Sequence, residues 1–328
     1  MKLPVGNASA HAAFLAAMTS GAMHHAWLFS GPEGVGKATF ARIAALRLLA
    51  EAAHPGKFEP GFDVPEPDQT RTLIQAGSHP DYRELVRLPK DSEKPDGDLA
   101  RSITIAQVRG LMPMFATKPS MSPVRIILID AVDDLERPGA SNALLKNLEE
   151  PPAGTIFILV SHAPGRLLPT IRSRCRRLRF DPLDDEEMRL VLARQLPDAP
   201  DTEIAAMIAA SAGSPGRAIS YLGLGMADLG SVMTSLADTG DVNNKIRTSL
   251  AKSLAAKSSQ ARYEAFLDLA PSFIAAQAEL REGQALSTAL DAYDTARALA
   301  ASARALSLDQ QATVYEMAGI VARLAPTA

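Results

Sequence analysis

A glycine-rich segment that follows a short apolar run limits what this chain can fold into. The run Ala26–Ser30 leads into Gly31-Pro-Glu-Gly-Val-Gly-Lys37, which has the spacing of a phosphate-binding loop between a strand and a helix. Backbone N–H groups of such a loop and of the helix that follows can bind phosphate, and the lysine reaches a β or γ oxygen. The alternative is a plain glycine-rich turn with a surface lysine. We predict a nucleotide pocket formed by Gly31, Gly34, Gly36 and Lys37.

The residue after Lys37 departs from this loop pattern. An intact loop has a Ser or Thr there, whose hydroxyl holds Mg²⁺, whereas this chain has Ala38. Thr39 is rotated by about 100° around the predicted helix, so it cannot simply replace the missing hydroxyl. We therefore predict a pocket that can hold phosphate but lacks part of the machinery that cleaves it.

The segment Val124–Asp130 is an apolar run that ends in a carboxylate. In P-loop proteins a carboxylate at the end of such a buried strand holds Mg²⁺ through water, and we predict this position for Asp130. The alternative is an aspartate that caps the following turn.

Composition excludes several classes of protein. The net charge is −3, so no overall basic field attracts nucleic acid, and any DNA contact needs a local patch. The single cysteine, Cys175, excludes a disulfide framework and fits a reducing cytoplasm, so we expect a cytoplasmic location. No apolar run approaches the length that spans a bilayer, and we expect no membrane partner.

The pattern of elements changes along the chain. Up to residue 182, β-rich runs alternate with helical patterns, which predicts an α/β domain with a parallel sheet covered on both faces. After residue 182 only helical patterns remain, with breaks expected near Gly240, Pro271 and Gly283. We place the domains at residues 1–182, 183–228 and 229–328. Residues 53–70, rich in Pro and Gly, predict an irregular surface insertion.

Four segments between residues 24 and 222 resemble the clamp-loader branch of the AAA+ family. Two of them are specific: the pair Asn-Ala-Leu-Leu-Lys…Glu-Glu-Pro-Pro and Ser-Arg-Cys at this separation. The segments are His25–Phe29 with the P-loop, Gly77–Asp81, Asn142–Pro152 and Leu167–Cys175. The resemblance implies an AAA+ P-loop domain, a small helical lid and a helical collar, which would correspond to the three predicted domains.

The resemblance also implies an assembly. Clamp loaders of bacterial DNA polymerase III are pentamers that open the sliding clamp and load it on primed DNA. The expected partners are the motor and delta subunits, and indirectly the clamp and DNA. Motor subunits hydrolyse ATP with a Glu directly after the strand-end Asp, where this chain has Ala131. Since general-base catalysis supplies about 10²–10⁴ in rate, the resemblance implies a largely non-hydrolysing subunit. We expect the chain to be neither a polymerase nor a competent ATPase.

Further residue roles come from the same resemblance. Arg174 of Ser-Arg-Cys corresponds to an arginine finger that acts in trans on the ATP of an adjacent subunit, an effect worth about 10³–10⁵ in comparable enzymes. Arg217 corresponds to the sensor arginine of the lid, and Ser161 or His162 to the sensor of the sheet. Each has a plain structural alternative, such as a surface arginine. The basic run from Arg172 to Arg179 is interpreted as an interface.

No cofactor is required under this interpretation, although ATP or ADP can bind weakly at the degenerate site. Relatives commonly carry a four-cysteine zinc module after the P-loop helix, but residues 52–78 contain no cysteine, so we expect no zinc and no other metal. His54 and His79 are expected to be loop residues rather than ligands.

Two other functions remain open at this point. One is an active AAA+ ATPase that uses Asp133 and Thr39 in a shifted geometry, such as a motor-type subunit. The other is a protein-interaction module with a relic P-loop. Direct DNA contact, if present, is expected at Lys118 and at the helix that begins near Thr104.

Overall fold

The computed structural model describes residues 2–21, 23–91, 93 and 97–326. The chain divides into two compact units, one ending at Pro182 and one beginning at Leu183. The predicted boundary near residue 228 lies inside the second unit and stays a prediction.

A five-stranded parallel sheet forms the centre of the first unit. The strands lie in the order β2-β3-β4-β1-β5, and every neighbouring pair is parallel. Strands β1 and β4 are buried along their whole length, and β3 is buried up to its last residue, which explains why they are continuous apolar runs. The predicted parallel α/β domain is therefore confirmed. The strands are β1 Ala26–Ser30, β2 Tyr82–Val86, β3 Arg125–Asp130, β4 Thr155–Ser161 and β5 Arg176–Arg179.

Helices connect these strands. Helix α2 begins directly at Lys37, so the glycine-rich segment forms the turn between β1 and α2, as predicted. The sequence pattern predicts one helix over Ile105–Phe115, but the structure has two short helices there, because the first helix ends at Gly110. The helices are α1 Ala8–Thr19, α2 Lys37–Ala53, α3 Gln69–Gln75, α4 Ile105–Arg109, α5 Met112–Phe115, α6 Gly139–Glu149 and α7 Pro169–Arg172, with short 3₁₀ helices at Val132–Asp134 and Pro164–Arg166.

The segment over residues 53–70 is irregular between α2 and α3 and mostly exposed, as predicted, but it is fastened to α2. Val64 is fully buried in a small cluster with Leu46 and Ala50 of α2. The guanidinium of Arg47 lies 5.0 Å from the centre of the Phe58 ring. The prolines and glycines of this segment shape its backbone, while its few apolar side chains fasten it to α2. The sequence did not indicate these contacts with α2, because the turn-forming residues dominate the segment.

The second unit is all-α, and its described residues contain no strand. Pro271 lies inside α13 rather than at a break, which corrects the predicted interruption there. None of the helices in the described residues is long and apolar enough to cross a membrane. The helices are α8 Asp185–Gln195, α9 Asp201–Ser211, α10 Pro215–Ser220, α11 Met226–Thr239, α12 Lys245–Leu254, α13 Gln260–Glu279, α14 Gly283–Leu306 and α15 Gln310–Ala322.

Candidate functional site

The loop between β1 and α2 requires glycine at defined positions. A Cβ atom on Gly31 would lie 2.0 Å from the backbone oxygen of Phe180, the residue after β5. Any side chain at position 31 would therefore displace the backbone there. Gly36 adopts a φ of 95°, which side chains rarely accept. The N–H of Gly31 donates to the Ser161 carbonyl at 3.2 Å, which ties the loop to the end of β4. The predicted loop residues and Ser161 are thus brought to one edge of the sheet.

Lys37 is turned into this loop and is only 2% exposed. Its Nζ donates to the carbonyl oxygen of Gly31 at 2.7 Å and also to that of Pro32. An ammonium group has three donors, so one remains for an anion in the loop. Burial lowers the pKa of Lys37 to about 8, and the nearby charge of Asp130 opposes this shift. The site therefore holds a cation at neutral pH, but one that is close to losing its proton.

Asp130 lies at the end of β3, as predicted, and is engaged by an arginine of α2. Its Oδ2 is 3.1 Å from Nη2 of Arg42, and the same Nη2 is 2.6 Å from Oε1 of Glu84 on β2. Burial raises the pKa of Asp130, and the Arg42 charge opposes that effect. Arg42 and Glu84 were missed by sequence analysis. The only signal was a charged residue, Arg42, between the apolar residues Ala41 and Ile43.

These residues do not fit the usual Mg²⁺ ligand set of a P-loop site. Ala38 has no hydroxyl, the Thr39 side chain is exposed, and the Asp130 carboxylate is ion-paired with Arg42. The described residues contain no group of three or more His, Cys, Asp or Glu side chains that could hold a metal ion.

Asp133 has a structural role beside the β1–α2 loop. Its carboxylate accepts hydrogen bonds from the Ser161 hydroxyl at 3.0 Å and from the N–H groups of His162 and Ala163 at 2.6 and 3.3 Å. Ala131, in the position where a motor subunit has its general base, is buried. The predicted sheet-sensor residue Ser161 therefore lies at the loop, but its hydroxyl is committed to Asp133.

Arg174 lies at the surface just after α7. Its Nη2 is 2.7 Å from Oε1 of Glu149, and its Nη1 donates to the Thr170 carbonyl at 2.9 Å. About a third of the side chain, 34%, remains exposed. Arg217 lies on α10 in the second unit, where its side chain is exposed and its N–H donates to the Ser214 hydroxyl. The sensor role of Arg217 stays a prediction.

The loop containing Lys118 is held by two buried charged residues. The Asp81 carboxylate accepts the N–H groups of Ser120 and Met121, each at 2.7 Å. The Arg125 guanidinium, almost fully buried, donates to the carbonyls of Met114 and Thr117. Asp81 is the last residue of the Gly77–Asp81 motif, so this motif stabilises the loop that contains Lys118. Lys118 itself is exposed.

The predicted DNA contact at the start of α4 has less support. The N–H of Ile105 donates to Oε2 of Glu136 at 3.0 Å, and the N–H of Gln107 donates to the Thr104 hydroxyl. These groups are satisfied within the chain and face a carboxylate, which repels phosphate.

Comparison with known proteins identifies the family. The family model described as "DNA polymerase III, delta subunit" matches residues 6–184, which is more than half of the chain. The chain belongs to this family. The match includes the P-loop, Asp130 and the Ser-Arg-Cys segment.

Individual relatives agree with this assignment. The chain is 37% identical over 196 residues to DNA polymerase III subunit delta' of Pseudomonas aeruginosa, covering 58% of this chain and 53% of that protein. It is 36% identical over 171 residues to subunit delta' of Bacillus subtilis, covering 52% and 46%. It is 33% identical over 171 residues to subunit gamma of Buchnera aphidicola, covering 51% and 41%. The chain thus spans about half the length of the curated relatives it matches. The resemblance to delta', the delta-prime subunit, is confirmed.

Proposed function

We propose that this chain is a delta-prime-type subunit of a DNA polymerase III clamp loader, acting in the cytoplasm. In this role it scaffolds the assembly with the motor and delta subunits and meets the sliding clamp and primed DNA through them. It donates Arg174 to the ATP of a neighbouring motor subunit and turns over little or no ATP itself.

The observation that carries this proposal is the contrast between two sites in the first unit. Arg174 is partly exposed at the surface, and its guanidinium is bound by Glu149 and by the Thr170 carbonyl. The chain's own P-loop has Ala38 and Ala131 where hydrolysis needs a hydroxyl and a base, and the nearby Asp133 carboxylate is taken up by three hydrogen bonds. A permanently charged planar guanidinium suits the stabilisation of charge on a γ-phosphate.

The P-loop of this chain retains a cradle for phosphate. Weak binding of ATP or ADP is supported by the glycine turn, the start of α2 and the one remaining donor of Lys37. Bound nucleotide would stabilise the conformation of the subunit and would not be hydrolysed. No zinc or other metal is required for this role.

The test is Arg174→Ala in a reconstituted clamp loader, with Arg83→Ala as the matched control because the Arg83 side chain is exposed on the edge strand β2. The ATPase rate at the neighbouring site should fall by about 10³–10⁵ for Arg174→Ala and stay unchanged for the control. An unchanged rate with Arg174→Ala would favour an interaction module with a relic P-loop.

A further inference from the structure

The guanidinium of Arg174 is held by groups from two different elements. Its Nη2 contacts the carboxylate of Glu149, the last residue of α6, at 2.7 Å. Its Nη1 donates to the carbonyl of Thr170 in α7 at 2.9 Å. Because both terminal nitrogens are engaged, the plane and direction of the guanidinium are defined. A free arginine at a protein surface would instead sample many rotamers.

This arrangement leaves Arg174 able to bind an anion. A guanidinium has five N–H donors, and the two contacts use two of them. The remaining three suffice for a two-point interaction with phosphate oxygens. The side chains of Arg174 and Glu149 are 34% and 42% exposed, so a group from outside the chain can reach them.

We propose that Glu149 is a positioning residue for Arg174, which orients the guanidinium before the neighbouring subunit presents its ATP. This inference rests on the proposed function, because it requires Arg174 to act in trans. An ion pair as exposed as this one contributes little to folding stability. The ion pair instead orients the guanidinium of Arg174. An arginine that is already ordered loses less conformational entropy when it binds phosphate.

Glu150 provides a matched control for Glu149. It is the adjacent residue, has the same side chain and is also exposed, but it makes no ion pair with any residue in the described part of the chain. Glu149→Gln and Glu150→Gln remove the same charge one residue apart, so only an effect specific to Glu149 reports on Arg174.

The experiment measures ATP turnover in a reconstituted clamp loader in which only the motor subunit facing Arg174 keeps its P-loop lysine. Glu149→Gln should lower kcat by roughly 10- to 100-fold, since misplacing a catalytic group by about 1 Å has effects of that size. KM for ATP should change little, because the neighbour's own loop binds the nucleotide. Glu150→Gln should match the unsubstituted chain, and thermal unfolding of the free chain should be the same for both variants.

A double substitution decides whether Glu149 acts through Arg174. In the Arg174→Ala background, Glu149→Gln should cause no further loss of kcat, because the group it positions is absent. An equal loss in both backgrounds, an equal loss with Glu150→Gln, or an unchanged or raised kcat with Glu149→Gln alone would overturn the positioning role.

The same measurements separate this inference from the proposed function. If Arg174→Ala leaves kcat unchanged, the trans-acting role of Arg174 fails, and the inference fails with it. If Arg174→Ala lowers kcat but Glu149→Gln does not, the function stands and only the positioning role of Glu149 is lost.

Discussion

The hydroxyl of Ser161 donates a hydrogen bond to the Asp133 carboxylate across 3.0 Å, which joins the end of β4 to the short helix that follows β3. Two backbone N–H groups donate to the same carboxylate. A carboxylate with three such donors fastens two loops together, and it keeps only about one of its four lone-pair sites for a water molecule. The geometry therefore opposes an ATPase that uses Asp133 as a displaced general base.

The three hydrogen bonds to the Asp133 carboxylate predict that Asp133→Asn lowers the stability of the fold. The amide cannot accept all three hydrogen bonds, so buried donors beside β4 lose partners at a cost of about 1–3 kcal/mol. The matched control is Asp134→Asn, which removes a partly exposed ion pair with Arg87 and should cost under about 1 kcal/mol. Urea unfolding of the two variants measures the free energy of unfolding of each. Equal losses would contradict a stabilising role for the Asp133 hydrogen bonds.

The isolated chain should show no ATP turnover above background. The absent hydroxyl at Ala38 and the absent base at Ala131 act on separate parts of the reaction, and the base alone is worth about 10²–10⁴ in rate. Phosphate release by the purified chain is the measurement, with Lys37→Ala as the comparison. Turnover that disappears in Lys37→Ala would instead establish a working ATPase.

Nucleotide affinity should weaken as the pH rises through about 8, because Lys37 loses the charge that attracts phosphate near that pH. Fluorescence titration with ADP at pH 7 and pH 9 tests this. A Lys37→Met variant, which keeps the apolar stem without the charge, should bind more weakly at both pH values and show a smaller change between them. An affinity that is constant from pH 7 to 9 in the unsubstituted chain would contradict the role of Lys37.

The same lysine should affect folding stability in alkaline solution. Its pKa is about 8 in the folded chain against an ordinary value of 10.5, so between these pH values the unfolded chain binds more protons. The contribution of Lys37 to stability therefore rises as the pH rises through this window. The free energy of unfolding of the unsubstituted chain minus that of Lys37→Met should increase from pH 8 to 10, and a decrease would show that burial does not disfavour the charged form.

Much of the sheet was predictable from the sequence because its central strands are buried on both faces. Strand β1 begins and ends at the predicted residues. The apolar runs Val124–Asp130 and Thr155–Val160 predict strands that differ from β3 and β4 by one residue each. The sequence predicts the last strand over Leu178–Phe180, whereas β5 is Arg176–Arg179, because three of its four residues are exposed arginines at the sheet edge. Strand order was not predictable, because it depends on pairings between segments far apart in the chain.

The candidate site was predictable only where a local motif exists. Gly31, Gly36 and Lys37 lie in one short pattern, and Asp130 ends an apolar strand. Partners such as Arg42 for Asp130, or Glu149 for Arg174, are single charged residues separated from their targets by 88 and 25 positions. Nothing in the sequence marks such a pair before the fold brings its members together.

Lys118 is the remaining candidate for a direct DNA contact, and its loop is well suited to hold it in one place. Asp81 and Arg125 fasten the backbone on either side of Lys118 through buried, charged hydrogen bonds. A lysine that neutralises a phosphate releases one counterion, so Lys118→Ala should lower the salt slope of DNA binding by about 0.9. The measurement is the affinity of the reconstituted assembly for primed DNA at several salt concentrations, with Lys252→Ala on α12 as the control. An unchanged slope would leave Lys118 as a solvent-exposed residue of a structural loop and would shift any DNA contact of this subunit to other residues.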